Sequence, residues 1–508
     1  MTTPAKDTEQ GRERLAMPAL LREQAFVAGS WCDADSGART EVVDPATGSV
    51  IGSVPDMAGT ATERAIQSAR DALPSWRSLA PQERASKLHR WADLIDRHRE
   101  DLATIVTLEQ GKPLAEARGE VDYGASYFRW YAEQGKRLYG EIIPSHLPDS
   151  RLLVLREPIG VVAAIIPWNF PSALVARKSA AALAAGCPVV LRPAQGTPFS
   201  ALALAHLAQQ ASIPDGVFSI VTGRAQAFSD VVFASPDVRK VTFTGSTEVG
   251  RKLMIAAAPQ VMRLSLELGG HAPCLVFEDA DLDIAVRGAV AAKFMSTGED
   301  CLAINRILVQ EAVYPAFCGR FAEATAALKV GNGLEPDVDQ GPLFDKGTLH
   351  KCEAHVADAV AKGGRVLSGG ERHALGGLYY QPTALADVTP EMAIFTEETF
   401  GPVAPITPFR TEEEAIALAN DSPFGLAAYL FTRNLGRSWR VTEALEYSMV
   451  ALNTARMTGA PVPFGGIKQS GQGREGGHQG LEEFTELKYF CMGGLDLGSA
   501  PECSERAS

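Results

Sequence analysis

Between residues 158 and 277 the chain alternates short, nearly unbroken apolar runs with segments of helical period. The runs are Val161–Ile166, Val189–Leu191, Val217–Val221, Lys240–Phe243, Leu264–Leu268 and Cys274–Phe277. Between them lie a small-residue helix ending at Gly186, a helix over Thr197–Ala211, a helical segment after Val221 and a helix over Glu248–Ala258. Strands that are apolar at every position are buried on both faces, and their alternation with helices predicts a parallel, doubly wound sheet. Ligands of such sheets bind beyond the carboxyl ends of the strands. A helix over Asp279–Phe294, a strand at Ile307–Val309 and a second α/β pattern continue to about residue 460.

The N-terminal part reads differently. Residues 1–22 are polar and predict a frayed start. Gly29-Ser-Trp31 and Asp44–Gly48 predict turns between short strands. Thr60 and Glu63 have capping-box spacing, and Ala65, Ile66, Ala69, Leu73 and Trp76 follow on one helical face. A second helix starts at Pro81, keeps its period through Leu88, Trp91, Leu94, Ile95 and His98, and meets a stop at Glu109–Pro113. Gly498–Ser508 predicts a disordered tail.

Composition narrows the function classes. A chain of 508 residues supports a large core without disulfide or metal staples. Acidic residues outnumber basic ones, 61 to 48, for a net charge of −13, which argues against nucleic acid or an anionic membrane as partner. The eight cysteines include no CxxC pair and the nine histidines no HxH or HExxH, so no metal site is expected. The N-terminus lacks an apolar signal core and no run reaches the length of a membrane span. A cytoplasmic protein with free thiols is the expectation.

Four segments could carry chemistry. Gly245-Ser-Thr-Glu-Val-Gly250 follows a strand and opens a helix, where free N–H groups favour an anion, although a plain strand-to-helix turn reads equally well. Glu267, among apolar strand residues, would be partly desolvated and raised toward the range of a general base, but on this segment alone a carboxylate satisfied by the glycine-rich turn beside it is the stronger reading. Most cysteines are structural, and that reading starts ahead for Cys301 too; its polar loop favours reactivity, but Glu299 and Asp300 before it should raise its thiol pKa. Asn169, in the proline-bracketed turn Pro167–Pro171, could offer its amide to an oxyanion.

Taken in order, PWNFP, FTGSTEVG, LELGG, the loop cysteine, EETFGP (Glu397–Pro402) and PFGGIKQSGQGRE (Pro463–Glu475) resemble the NAD(P)-dependent aldehyde dehydrogenase family from about Phe26 to Phe490. Within that family, Ser200–Ala208, Phe424–Tyr429 and Glu443–Tyr447 are most similar to succinate-semialdehyde dehydrogenases. The resemblance implies Cys301 as nucleophile, Asn169 and the Cys301 N–H as oxyanion donors, Glu267 as base and Lys178 as a nearby active-site lysine. It assigns to NAD or NADP the residues Pro167, Trp168, Arg192, Pro193, Ala194, Gln195, Gly223, Gly245, Ser246, Leu268, Glu398 and Phe400. It implies an aldehyde dehydrogenase-like α/β fold: a cofactor domain over 1–138 and 157–268, a catalytic domain over 269–462, and a small strand arm over 139–156 and 486–498. Such an arm would pair between subunits and make a homodimer or homotetramer.

The departures from the family pattern bear on specificity. Arg192 stands where the family has a ribose-binding lysine, and Gln195 where NAD-specific members carry glutamate; a neutral amide does not repel a 2′-phosphate, so use of both cofactors is expected. Arg177 matches the first of two arginines that bind the substrate carboxylate in succinate-semialdehyde dehydrogenases, but Met295 stands in place of the second. Arg456 could compensate, with Thr458 at the family's serine contact; otherwise the substrate is another acid-bearing or a less polar aldehyde. Ala303 stands where some members have a second cysteine, so no local disulfide is expected. The presence of Glu267 argues against a CoA-acylating relative. Retention of Asn169, Glu267, Cys301 and Glu398 argues against a catalytically silent paralogue, whose one support is the Glu299-Asp300 pair.

Overall fold

Val161, Ala163 and Ile165 pack into one apolar core while Val162, Ala164 and Ile166 pack into another on the opposite face of the same strand. This is the double burial that the unbroken apolar runs predict. In the computed structural model, which describes residues 11–495, the strand sits inside an eight-stranded sheet. Its parallel centre runs Phe218–Ile220, Val189–Arg192, Val161–Ile165, Val238–Thr244, Arg263–Glu267. Strand order reverses beside Val161–Ile165, so a crevice opens beyond the carboxyl ends of that strand and of Val238–Thr244. Helices Gly59–Ser78, Ala225–Ala234 and Thr247–Ala257 cover one face, and Pro81–Arg97, Leu114–Gln134, Ala173–Ala185 and Phe199–Gln210 the other.

After Glu267 the chain crosses to a second, seven-stranded sheet: Arg365–Ser368, Thr383–Ala386, Val403–Phe409, Ile304–Gln310, Ala272–Val276, Ala427–Phe431, Met449–Leu452. Only the first pair is antiparallel. The carboxyl ends of the first sheet therefore face the amino end of Ala272–Val276, across the four residues Leu268–His271. Gly471–Gln472 returns to the first sheet and pairs with Leu266 and Glu267. A third sheet joins Glu141–Ile143, Arg151–Pro158 and Thr485–Met492, with Ile142, Leu487, Tyr489, Phe490 and Met492 exposed. It falls where the strand arm is expected; residues 496–498 of that arm and the tail Gly498–Ser508 lie outside the described residues.

Several local expectations need correction. Thr60 does not cap its helix: Gly59–Ser78 is capped by Ala58, which places Thr60 inside the first turn with its hydroxyl turned to Asp35. Half a capping box appears instead at the next helix, where the Glu83 carboxylate accepts the Ala80 N–H at 2.9 Å. That helix ends at Arg97, and a separate helix, Arg99–Gln110, carries the chain to a left-handed Gly111. The start of the chain is not frayed throughout. Leu15, Leu20 and Leu21 are buried, and the Asp101 carboxylate accepts the Ala16 and Met17 N–H groups. Ser30 and Trp31 belong to a strand, the turn being Ala28-Gly29. The helix Leu114–Gln134 has no counterpart among the sequence expectations.

Candidate active site

A cavity of about 610 Å³ lies between the two large sheets. Its wall includes Pro167, Trp168, Asn169, Arg177, Gly245, Ser246, Glu267, Leu268, Met295, Cys301, Glu398, Phe400 and Thr458, all expected from the sequence. Lys178 lies behind this wall, fully buried.

Cys301 follows the helix Leu282–Phe294 through a strained turn, with Ser296 and Thr297 both at positive φ. Such conformations cost free energy and persist where the surroundings fix them. Here the Glu116 carboxylate accepts the Ser296 N–H at 2.8 Å. Gly270 is needed on the facing segment, because a Cβ there would lie 2.3 Å from the Cys301 carbonyl oxygen. The thiol is half-buried. Burial first, and the Asp300 carboxylate second, hold its pKa well above the ordinary value. Of the two acidic neighbours expected to do so, only Asp300 faces the thiol. The Glu299 carboxylate turns away to accept the Phe344 N–H at 2.9 Å.

The Asn169 amide donates one N–H to the Glu299 carbonyl at 3.0 Å, which fixes its orientation and leaves its second N–H available. Lys112 anchors the same turn: its ammonium donates to the Asn169 carbonyl and to the Glu120 carboxylate, each at 2.7 Å. Both partners of that ion pair are 1% exposed. Removing one charge strands the other, so Glu120→Ala is expected to destabilise the fold by about 3–5 kcal/mol. A fall in the urea midpoint checks this.

Glu267 ends the strand Arg263–Glu267 and is 3% exposed, with neither carboxylate oxygen hydrogen-bonded among the described residues. The glycine-rich turn therefore does not satisfy it. Burial, then the nearby Glu475, raises its pKa well above the carboxylate range. Burial disfavours a charge on Glu475, but Lys178 at 2.5 Å and Arg177 at 2.6 Å outweigh it and hold its pKa below the ordinary carboxylate value. Burial lowers the Lys178 pKa, with Glu475 opposing. Glu398 accepts the Gly270 N–H at 3.0 Å, and burial pushes its pKa up to about 7. Trp168 stacks on Phe344 at 4.2 Å and meets the edge of Phe400 at 5.8 Å.

The remaining expected residues lie outside the cavity. Arg192 donates from Nε and Nη2 to the Gly223 carbonyl, at 3.1 and 2.9 Å, and burial brings its pKa down to about 10. Gln195 is exposed and donates to the Thr40 hydroxyl at 3.1 Å; Pro193 and Ala194 connect the two. Arg456 is exposed and does not line the cavity, whereas Thr458 does. The sequence reading missed Lys112, Glu116, Glu120, Tyr123, Phe464 and Glu475. Glu475 and Phe464 stand inside the quoted run Pro463–Glu475; Glu116, Glu120 and Tyr123 recur at helical spacing on the unassigned helix.

A thiol, an oriented amide donor and an unpartnered buried carboxylate around one cavity define an enzyme that acts on a carbonyl through cysteine. Residues 31–490 match the aldehyde dehydrogenase family, and the chain belongs to it. It is 53% identical to a glutarate-semialdehyde dehydrogenase of Pseudomonas aeruginosa, over 94% of this chain and 99% of that protein. It is 52% identical to the NADP-dependent succinate-semialdehyde dehydrogenase GabD of Escherichia coli, over 93% and 98%. A crystal structure of succinate-semialdehyde dehydrogenase from Burkholderia pseudomallei superposes with a TM-score of 0.94 at 52% identity, covering 94% of this chain and 99% of that one.

Proposed function

We propose that this enzyme oxidises an acid-bearing semialdehyde, of which succinate semialdehyde is the first candidate, to its dicarboxylate with NAD(P)+ as oxidant. The observation that carries the reading is the convergence of Cys301, Asn169, Glu267 and Arg177 on one cavity, beside the names borne by the relatives.

The Cys301 thiol gives its proton to water as its sulfur adds to the aldehyde carbon, and the free Asn169 N–H together with the Cys301 backbone N–H holds the oxyanion. Loss of hydride from that carbon leaves a thioester on Cys301. Glu267 then removes a proton from water as it attacks the thioester carbonyl; the acid leaves and the thiol is regenerated. Arg177, stacked 3.8 Å from the Phe464 ring centre, supplies positive charge for the far carboxylate of the substrate.

Aldehyde dehydrogenases use NAD(P)+, and the residues of the crevice fit such a group. Gly245 and Ser246 open the helix Thr247–Ala257 at the cavity wall, a Cβ on Gly245 would strike the Phe243 ring at 2.4 Å, and the Thr244 hydroxyl there has no partner among the described residues. When bound, the nicotinamide accepts the hydride. Glu398, Phe400 and Trp168 would hold the nicotinamide end, Gly245 and Ser246 the pyrophosphate, and the segment Arg192–Gln195 with Gly223 the adenosine end. Neutral Gln195 supports use of both cofactors. Gln195→Glu is expected to lower kcat/KM for NADP by about tenfold, through repulsion of the 2′-phosphate, and to spare NAD. Parallel rates with the two cofactors check it. The three sheets support a division into cofactor, catalytic and arm units, and the exposed apolar strand residues of the arm support pairing with a second copy of this chain.

Initial rates on succinate semialdehyde, glutarate semialdehyde, propanal and benzaldehyde, each with NAD and NADP and without CoA, test the assignment. Preference for the acid-bearing aldehydes is the expected result; preference for propanal or benzaldehyde would overturn it.

A further inference from the structure

The cavity is lined by Met295, an apolar side chain with no donor, and by Arg177, whose guanidinium is already paired to Glu475. One half-committed cation is a weak reader of a carboxylate. Tyr123, on the helix Leu114–Gln134, lines the same cavity. Its hydroxyl lies 2.9 Å from the hydroxyl of Tyr127, one helical turn on. Tyr127 is fully buried, and Tyr123 is the one hydrogen-bond partner of its hydroxyl among the described residues. A buried O–H must donate, so the Tyr127 hydrogen goes to the Tyr123 oxygen. The Tyr123 hydrogen is then free and has the cavity to point into. Both tyrosines lie within electrostatic reach of the Arg177 guanidinium.

We propose that Tyr123, oriented by Tyr127, is the second partner of the substrate's far carboxylate, taking with Arg177 the place that Met295 leaves without a donor. The inference rests on the acid-bearing substrate class proposed above and names the residue that selects it. Tyr123 donates one hydrogen bond to a carboxylate oxygen. Tyr127 touches no substrate and is a positioning residue: it accepts nothing from the ligand but sets which way the Tyr123 hydrogen turns.

The test compares kcat/KM for succinate semialdehyde with that for butanal, an uncharged aldehyde of the same chain length, in the wild-type enzyme, Tyr123→Phe and Tyr127→Phe. A hydrogen bond to a charged group is worth about tenfold or more in binding. Tyr123→Phe is expected to lower the ratio by that factor, through KM for succinate semialdehyde rather than through kcat. Tyr127→Phe is expected to lower it in the same sense by less. A wild-type enzyme that prefers succinate semialdehyde, with a ratio unchanged in Tyr123→Phe, would overturn the inference and leave the substrate class standing. A wild-type enzyme that prefers butanal would overturn both. A loss of kcat on both aldehydes alike in Tyr123→Phe would mark a structural role and also overturn it.

Discussion

Cys301→Ala is expected to abolish NAD(P)H formation from every aldehyde, a loss of about 10⁴-fold or more, the scale on which removal of a covalent nucleophile acts. Cys187, Cys274, Cys318 and Cys352 are buried in the cores, and among the described residues Cys301 is the only cysteine in the cavity wall. The variant should fold, because alanine fills the same turn and Ser296, Glu116 and Gly270 keep their contacts. The resting thiol carries a further signature. Burial and Asp300 both favour its protonated form, so alkylation of the wild-type enzyme by iodoacetamide is expected to be slow at neutral pH and to rise as pH rises. A stopped assay with and without the thiol, on protein of unchanged circular dichroism, reads the first effect directly.

Glu267→Gln carries the second largest expectation: turnover stalls after about one NAD(P)H per active site, and the steady-state rate falls by about 10²–10⁴-fold. Glutamine matches the size of the side chain but cannot take the proton of the attacking water. The pH dependence has a defined sign. The ionised carboxylate is the working form, and burial and Glu475 raise its pKa well above the ordinary range. Wild-type turnover should therefore fall as pH drops through that raised pKa, while the residual rate of the variant should lack this acid limb. Rapid-mixing traces that show a stoichiometric burst followed by a slow phase would report acylation intact and hydrolysis lost. Equal loss of burst and steady state would instead mean that Glu267 acts before the thioester forms.

The reach of the sequence reading follows from what each signal encodes. Apolar runs report burial on two faces, and every one of them became a strand, although Cys274–Phe277, read with the first sheet, belongs to the second. The turn motifs around Asn169, Glu267 and Cys301 report local backbone needs, and the structure gathers all three at one cavity. Charge pairing across the fold left no local trace. Nothing in Arg177-Lys178 announces that both converge on Glu475, nearly 300 residues later, or that Lys112 reaches the Asn169 carbonyl. The helix Leu114–Gln134 escaped because its polar residues Glu116, Glu120 and Tyr123 face a cavity rather than solvent, which breaks the amphipathic contrast a helix at a surface displays. Arg456 shows the converse limit: proximity in sequence to Thr458 did not bring it into the wall.

Turnover passes through a thioester held by Cys301 and released by Glu267. Intact and peptide mass spectrometry of the Glu267→Gln enzyme, quenched in acid after mixing with succinate semialdehyde and NADP, tests it most directly. The expected spectrum carries the acyl group of the substrate on the peptide that contains Cys301. An unmodified Cys301 peptide from an enzyme that still forms NADPH would contradict the covalent route.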